Sequence, residues 1–191
     1  MEPLKGTERF CLGEKELNIS VSDFWGWSCS DLSDNIIRGL LAEFIVHSAV
    51  ASVGSVRANW DSYDIVTQTG LRIEVKSSAY LQSWSPEDVF SKISFDIAPK
   101  HVWDGSTYAP NANRSGDLYV FCVFTAHTRD VLPLDLSYLD FYVLPTSVLD
   151  DRVPEQKRIT LSSLLKLEPT KCDYKGLGTV IENARSRHEA S

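Results

Sequence analysis

YDIVTQTGLRIEVKS, residues 63–77, decides the fold. Two runs rich in β-branched residues, 63–67 and 71–77, flank Gln68-Thr69-Gly70, the composition of a β-hairpin. Strand side chains alternate faces, so Glu74 and Lys76 share a face with Arg72, while Leu71, Ile73 and Val75 turn toward a core. A two-residue loop at Thr69-Gly70 sets Asp64 against Val75 and Ile65 against Glu74, charge against oil on both faces. A three-residue loop, Gln68-Thr69-Gly70, instead sets Asp64 opposite Glu74, Ile65 opposite Ile73 and Tyr63 opposite Val75. It also puts Gly70 where such loops take a left-handed residue. This second register is the expected one.

Opposed residues in an antiparallel pair stand about 5 Å apart at Cβ. Two carboxylates that close repel unless one is protonated or a cation bridges them. A hard cation with oxygen ligands, Mg²⁺ or Mn²⁺, resolves the repulsion, and Lys76 on the same face is placed to hold a water or to steady charge on a reacting phosphate. Upstream, Ile36, Ile37, Leu40, Leu41, Phe44 and Ile45 recur at three and four positions, which predicts a helix from Asp34 to about Val50, N-capped by Ser33 or Asp34. Glu43 lies at the edge of that apolar stripe, where a charge needs a partner. If the helix packs on the hairpin, Glu43 reaches the ion or its water shell. Asp61 is the rival of Asp64, set aside because its parity puts it on the face of Tyr63 and Ile65.

Glu43 on a helix, Asp64 on one strand and Glu74-Val75-Lys76 on the next resemble the PD-(D/E)XK nuclease superfamily over roughly residues 35–84, and KSSAYLQSW, residues 76–84, looks like an uncharacterised bacterial group within it. Tyr63 stands in place of the proline before the aspartate, a substitution the family tolerates. The resemblance implies an α/β fold with a restriction-endonuclease-like core, a mixed β-sheet flanked by helices, spanning residues 1–191 as one domain. It implies a Mg²⁺-dependent (or Mn²⁺-dependent) endonuclease acting on DNA. Asp64, Glu74, Glu43 and the carbonyl of Val75 would hold the metal, and Lys76 would assist hydrolysis. It also implies a polar role near the site for Gln82, and a possible homodimer. The alternative within the same fold is an inactive module that binds nucleic acid or a protein partner.

The remaining sequence is less specific. A 191-residue chain with 43% apolar content suits one α/β domain, and its net charge of −7 argues against a passive coat on nucleic acid while leaving room for a metal-binding carboxylate cluster. No apolar run is long enough to span a membrane and no secretory leader opens the chain, so a cytoplasmic location is expected. Four scattered cysteines indicate neither a zinc ribbon nor a disulfide framework. Residues 1–30 read as irregular or short-helical, with Phe24, Trp25 and Trp27 as anchors. Residues 93–97 alternate like a half-buried strand, 98–116 read as a long loop of the kind that is often functional, and 117–125 read as a central strand buried on both faces. A further strand is expected at 141–144 and helices at 161–167 and 177–187. His47 reads as a helix-edge residue. Lys92, Lys100, His101 and Arg114 read as surface residues with a lesser claim on phosphates, and Trp60, Trp84 and Trp103 as packing residues.

Overall fold

The structure, a computed structural model, describes residues 2–50, 52, 56–57, 61–86, 89–101, 107 and 110–188, the last four by their backbone alone. The central hairpin takes the three-residue loop. Strand β3 (Ile65–Val66) runs antiparallel to β4 (Arg72–Ala79), with Ile65 opposite Ile73 and Val66 opposite Arg72. Thr67 N–H donates to the Leu71 carbonyl at 3.0 Å, Gly70 N–H to the Thr67 carbonyl at 2.9 Å, and Gly70 has φ +84°, where a side chain would be strained. The regular ladder is shorter than residues 63–67. Asp64 N–H also reaches the Ile73 carbonyl, at 3.0 Å, so the strand departs from regular pairing there, as at a β-bulge. Asp64 and Glu74 are therefore not a ladder pair, although both line one cleft.

Five strands form the main sheet in the order β3-β4-β6-β7-β9, with β6 (Leu118–Phe124), β7 (Leu139–Pro145) and β9 (Thr170–Cys172). β6 lies parallel to β4 and the other neighbours are antiparallel, so the sheet is mixed. The apolar run of β6 is buried along its whole length because layers cover both faces of the sheet. On one face Ala42, Ile45 and Val46 of α2 (Asn35–Ala49) and Leu177 and Ile181 of α5 (Tyr174–His188) pack against Ile73, Val75, Val120 and Phe141. On the other, Phe95 of β5 (Ser94–Asp96) and Ile159 of β8 (Arg158–Thr160), which pair with each other, cover Tyr119, Phe121 and Tyr142. They are joined by Leu149 of α3 (Thr146–Arg152) and Leu164 of α4 (Leu161–Leu165). Among the described residues no helix is long and apolar enough to cross a membrane.

Two expectations need correction. The first thirty residues form a hairpin, β1 (Arg9–Leu12) and β2 (Lys15–Ser20), followed by α1 (Val21–Cys29), whose first turn is closed by a capping box between Ser20 and Asp23. Phe24, Trp25 and Trp27 are not anchors: they are exposed, and α1 buries no residue. In α2, capped by Asp34, the buried residues are Arg38, Ala42, Ile45 and Val46, whereas Ile36, Leu40 and Phe44 are exposed. The helix is apolar around much more than one face, so periodicity did not choose between them.

α2 and α5 cross closely at Gly178. A Cβ there would lie 2.5 Å from the Ala49 carbonyl oxygen, a clash with backbone that no rotamer relieves. At Gly176, two residues earlier, a Cβ would meet only ordinary contacts at 3.5 Å. Gly178→Ala is expected to cost about 1–3 kcal/mol in urea denaturation, whereas Gly176→Ala stays neutral or gains a few tenths through helix propensity. Equal stability of the two variants would show that the crossing is looser than this.

Candidate active site

A cleft of about 220 Å³ opens where β3 meets β4, with Tyr63, Asp64, Glu74, Lys100, Arg114 and Tyr119 in its wall. Its position follows from the hairpin and the sheet. The irregularity at Asp64 turns its carboxylate toward β4, where it accepts the Val75 backbone N–H at 2.7 Å. Tyr63, expected on the core face, lines the cleft too. Asp61, set aside on strand parity, lies in a bend ahead of β3 and also lines it.

Electrostatics mark the cleft as strained. The Asp64 carboxyl is pushed up to about 6, first by burial and next by the Glu74 charge, with Glu43 adding to the push; the Val75 N–H and Lys76 oppose it. Glu74 is buried, and its Oε1 accepts the Lys76 Nζ at 2.6 Å and the Lys100 Nζ at 3.4 Å. Glu43 is held by Arg57, which donates through Nε and, at 3.1 Å, through Nη2. Each anion thus has a cation or an amide to itself. Among the described residues no three acidic, histidine or cysteine side chains close on one point as a ready metal cage. Glu43 acts on the charge of Asp64 without converging on it.

Two neighbours fix Glu74. Tyr119 lies beside it on the parallel strand β6, its hydroxyl made a weaker acid by burial and by the Glu74 charge. Gly116, just ahead of β6, leaves room that a side chain would fill: a Cβ would stand 3.1 Å from the Glu74 nitrogen and 3.2 Å from its Cβ. Arg114 is not a surface residue. Only 1% of its side chain is exposed, and it donates to Asp150 and to the carbonyls of Ile97, Val153, Pro154 and Gln156, pinning the cleft wall to the end of α3. His47 instead bonds the Ser52 hydroxyl, 2.7 Å from Nδ1. Gln82, expected near the site, is buried away from this cleft, donating to the Ala79 carbonyl and accepting from Arg38. Trp84 is exposed rather than packed, and Trp60 and Trp103 lie outside the described residues.

The family model of bacteriophage T4 endonuclease IV matches residues 26–140, more than half of the chain, and that stretch includes Glu43, Asp64, Glu74 and Lys76. The chain belongs to the bacteriophage T4 endonuclease IV family. It is thus a member of a nuclease family with a mixed α/β fold. The solved structure of a bacterial homing endonuclease matches 66% of this chain and 76% of its own at 18% identity with a TM-score of 0.39, a likeness too slight to specify a site. No curated protein matches the chain.

Arg57, Tyr119 and Gly116 were not legible as site residues in the sequence, and Lys100, read as a surface residue with a lesser claim on phosphates, reaches Glu74. The length of the 98–116 loop was the cue for its part of the site, and residues 98, 100, 101 and 113–115 do enter the cleft. The raised Asp64 carboxyl has a thermodynamic consequence. Its folded-state value lies above the unfolded value near 3.9, so metal-free stability falls as pH rises from about 4 to about 6 and stays lowered above that. Asp64→Asn removes the penalty and keeps an acceptor for the Val75 N–H. In EDTA at pH 8 it is expected to be more stable than wild type by roughly 1–2 kcal/mol, and at pH 4 the difference closes. A variant less stable than wild type at pH 8 would contradict this.

Proposed function

We propose that this chain is a PD-(D/E)XK-type nuclease that hydrolyses DNA phosphodiester bonds with Mg²⁺ or Mn²⁺. The observation that supports it best is that two carboxylates, the buried Glu74 and the half-buried Asp64, line one cleft, with the Lys76 ammonium 2.6 Å from Glu74. Membership of an endonuclease family adds to it, and the choice of DNA rests on that family and on the superfamily resemblance.

The residues suit a hard cation. The carboxyl of Asp64 is protonated more readily than an ordinary aspartate because it is removed from water and, next, faces the Glu74 charge; a divalent ion would favour its ionised form. Asp64, Glu74 and the Val75 carbonyl would hold the ion, with Glu43 entering its water shell on leaving Arg57. When bound, such an ion polarises the phosphate and makes its bound water a stronger acid. The protein's own part is to orient and to compensate. The Val75 N–H fixes the Asp64 carboxylate, and the buried wall around Tyr119 and Gly116 fixes Glu74. Lys76, released from Glu74, is placed to hold the attacking water or to balance charge on the phosphate oxygens, and Lys100 stands on the solvent side where a strand would arrive. A homodimer presenting two such clefts to a duplex is part of the same proposal; a solution mass twice that of the chain supports it and a monomer mass removes it.

Purified protein is expected to nick or cut plasmid DNA with Mg²⁺ or Mn²⁺ and to be inert in EDTA. Lys76→Ala and Glu74→Gln should each lose at least about 100-fold in rate, the usual cost of removing one transition-state contact. Equal cutting by wild type and Lys76→Ala would overturn the catalytic assignment. Binding without cutting across plasmid, linear and single-stranded DNA would favour the inactive module.

A further inference from the structure

Pairing with β3 ends early, so among the described residues the edge of β4 beyond Val75 has no strand partner. A second cavity, of about 340 Å³, lies along that edge. Its described lining includes Ser77 and Ser78 of β4, Arg38, Lys92, Arg158 and Trp84, and contains no carboxylate. In a chain of net charge −7, three cations and no acid among the described residues that line one cavity is a marked local reversal of sign.

The cations are held ready rather than neutralised. Arg38 is only 7% exposed, yet no carboxylate lies within ion-pair distance of it among the described residues. It donates to the Ser33 carbonyl at 2.9 Å, to the Asn35 side chain and to Gln82 Oε1 at 3.1 Å, while its Nε has no partner. The nearby N-cap, Asp34, acts on it only through its field and is already bonded to the first amides of α2. A nearly buried guanidinium with only neutral acceptors is costly, which favours an anion beside it. Lys92 forms no ion pair among the described residues, and Arg158 has one weak bond, 3.4 Å to the Ser94 hydroxyl. Trp84, 66% exposed, offers a ring face at the rim.

We propose that this cavity is a second phosphate subsite, holding a phosphodiester farther along the strand whose scissile phosphate lies at Asp64 and Glu74. The spacing suits it: along β4, Ser78 is about 6.6 Å beyond Lys76 and about 13 Å beyond Glu74. Lys92 and Arg158 balance the charge of the phosphate, Arg38 forms a fixed floor, and the Ser77 and Ser78 hydroxyls donate to its oxygens. Gln82 then has a role: it locks Arg38 in place as a positioning residue. The proposal rests on the nuclease reading for its substrate, but its test is independent of cutting.

The test is a fluorescence-anisotropy titration in EDTA with a labelled oligonucleotide, single-stranded and duplex, over a series of salt concentrations. Wild type, Lys92→Ala/Arg158→Ala and a charge-matched control, Lys5→Ala/Lys15→Ala on the exposed N-terminal segment, are compared after their thermal stabilities are shown to be equal. The subsite double variant is expected to bind about tenfold more weakly. Its slope of log affinity against log salt should be shallower by about 1.4 on single strands or 1.8 on duplex, while the control stays near wild type. Failure of wild type to bind either probe, or equal weakening of both double variants, would overturn the subsite. Binding that depends on Lys92 and Arg158 without any cutting by wild type would keep the subsite and remove the hydrolytic reading. Cutting by wild type with unchanged binding by the subsite variant would do the reverse.

Discussion

The repulsion between the carboxylates of Asp64 and Glu74, held together in a half-closed cleft, is the constraint from which the rest of the molecule makes sense. Burial, and next the Glu74 charge, push the Asp64 carboxyl up to about 6, so keeping it ionised at neutral pH costs the fold stability. Lys76, Lys100 and Arg57 relieve the repulsion, each from a different stretch of chain. Such an arrangement lowers the stability of the free protein, a common property of sites shaped for a ligand they do not supply themselves.

The scaffold resists that repulsion. β4 lies next to β6, which is buried on both faces, so Glu74 cannot retreat into the sheet, and Gly116 keeps the neighbouring chain close against it. Asp64 is tied by one amide bond at the point where β3 leaves regular pairing. The same early end of β3 opens the edge of β4, so the acidic cleft and the basic cavity lie along a single strand, one suited to a cation and the other to an anion.

Much of this was legible in the sequence. The Ile65 to Ile73 register followed from matching faces across Gln68-Thr69-Gly70, and the positive φ of Gly70 is the physical trace of that loop. The continuous apolar run at 118–124 announced a central strand. What escaped had physical reasons. The N-terminal hairpin has exposed strands and little apolar alternation, although Gly13 and the Ser20–Asp23 capping box were visible cues. The face of α2 that packs could not be chosen while Ile36, Leu40 and Phe44 competed with Ala42, Ile45 and Val46. Arg57, Lys100 and Arg38 gain their meaning from contacts made in space, which no local pattern records.

The most direct measurement is a crystal soaked with Mn²⁺ and examined by anomalous scattering. The account predicts one strong peak within ligand distance of both the Asp64 and Glu74 carboxylates, with Lys76 displaced from Glu74. An ion bound elsewhere, or no ion while Lys76 and Lys100 stay on Glu74, would contradict it.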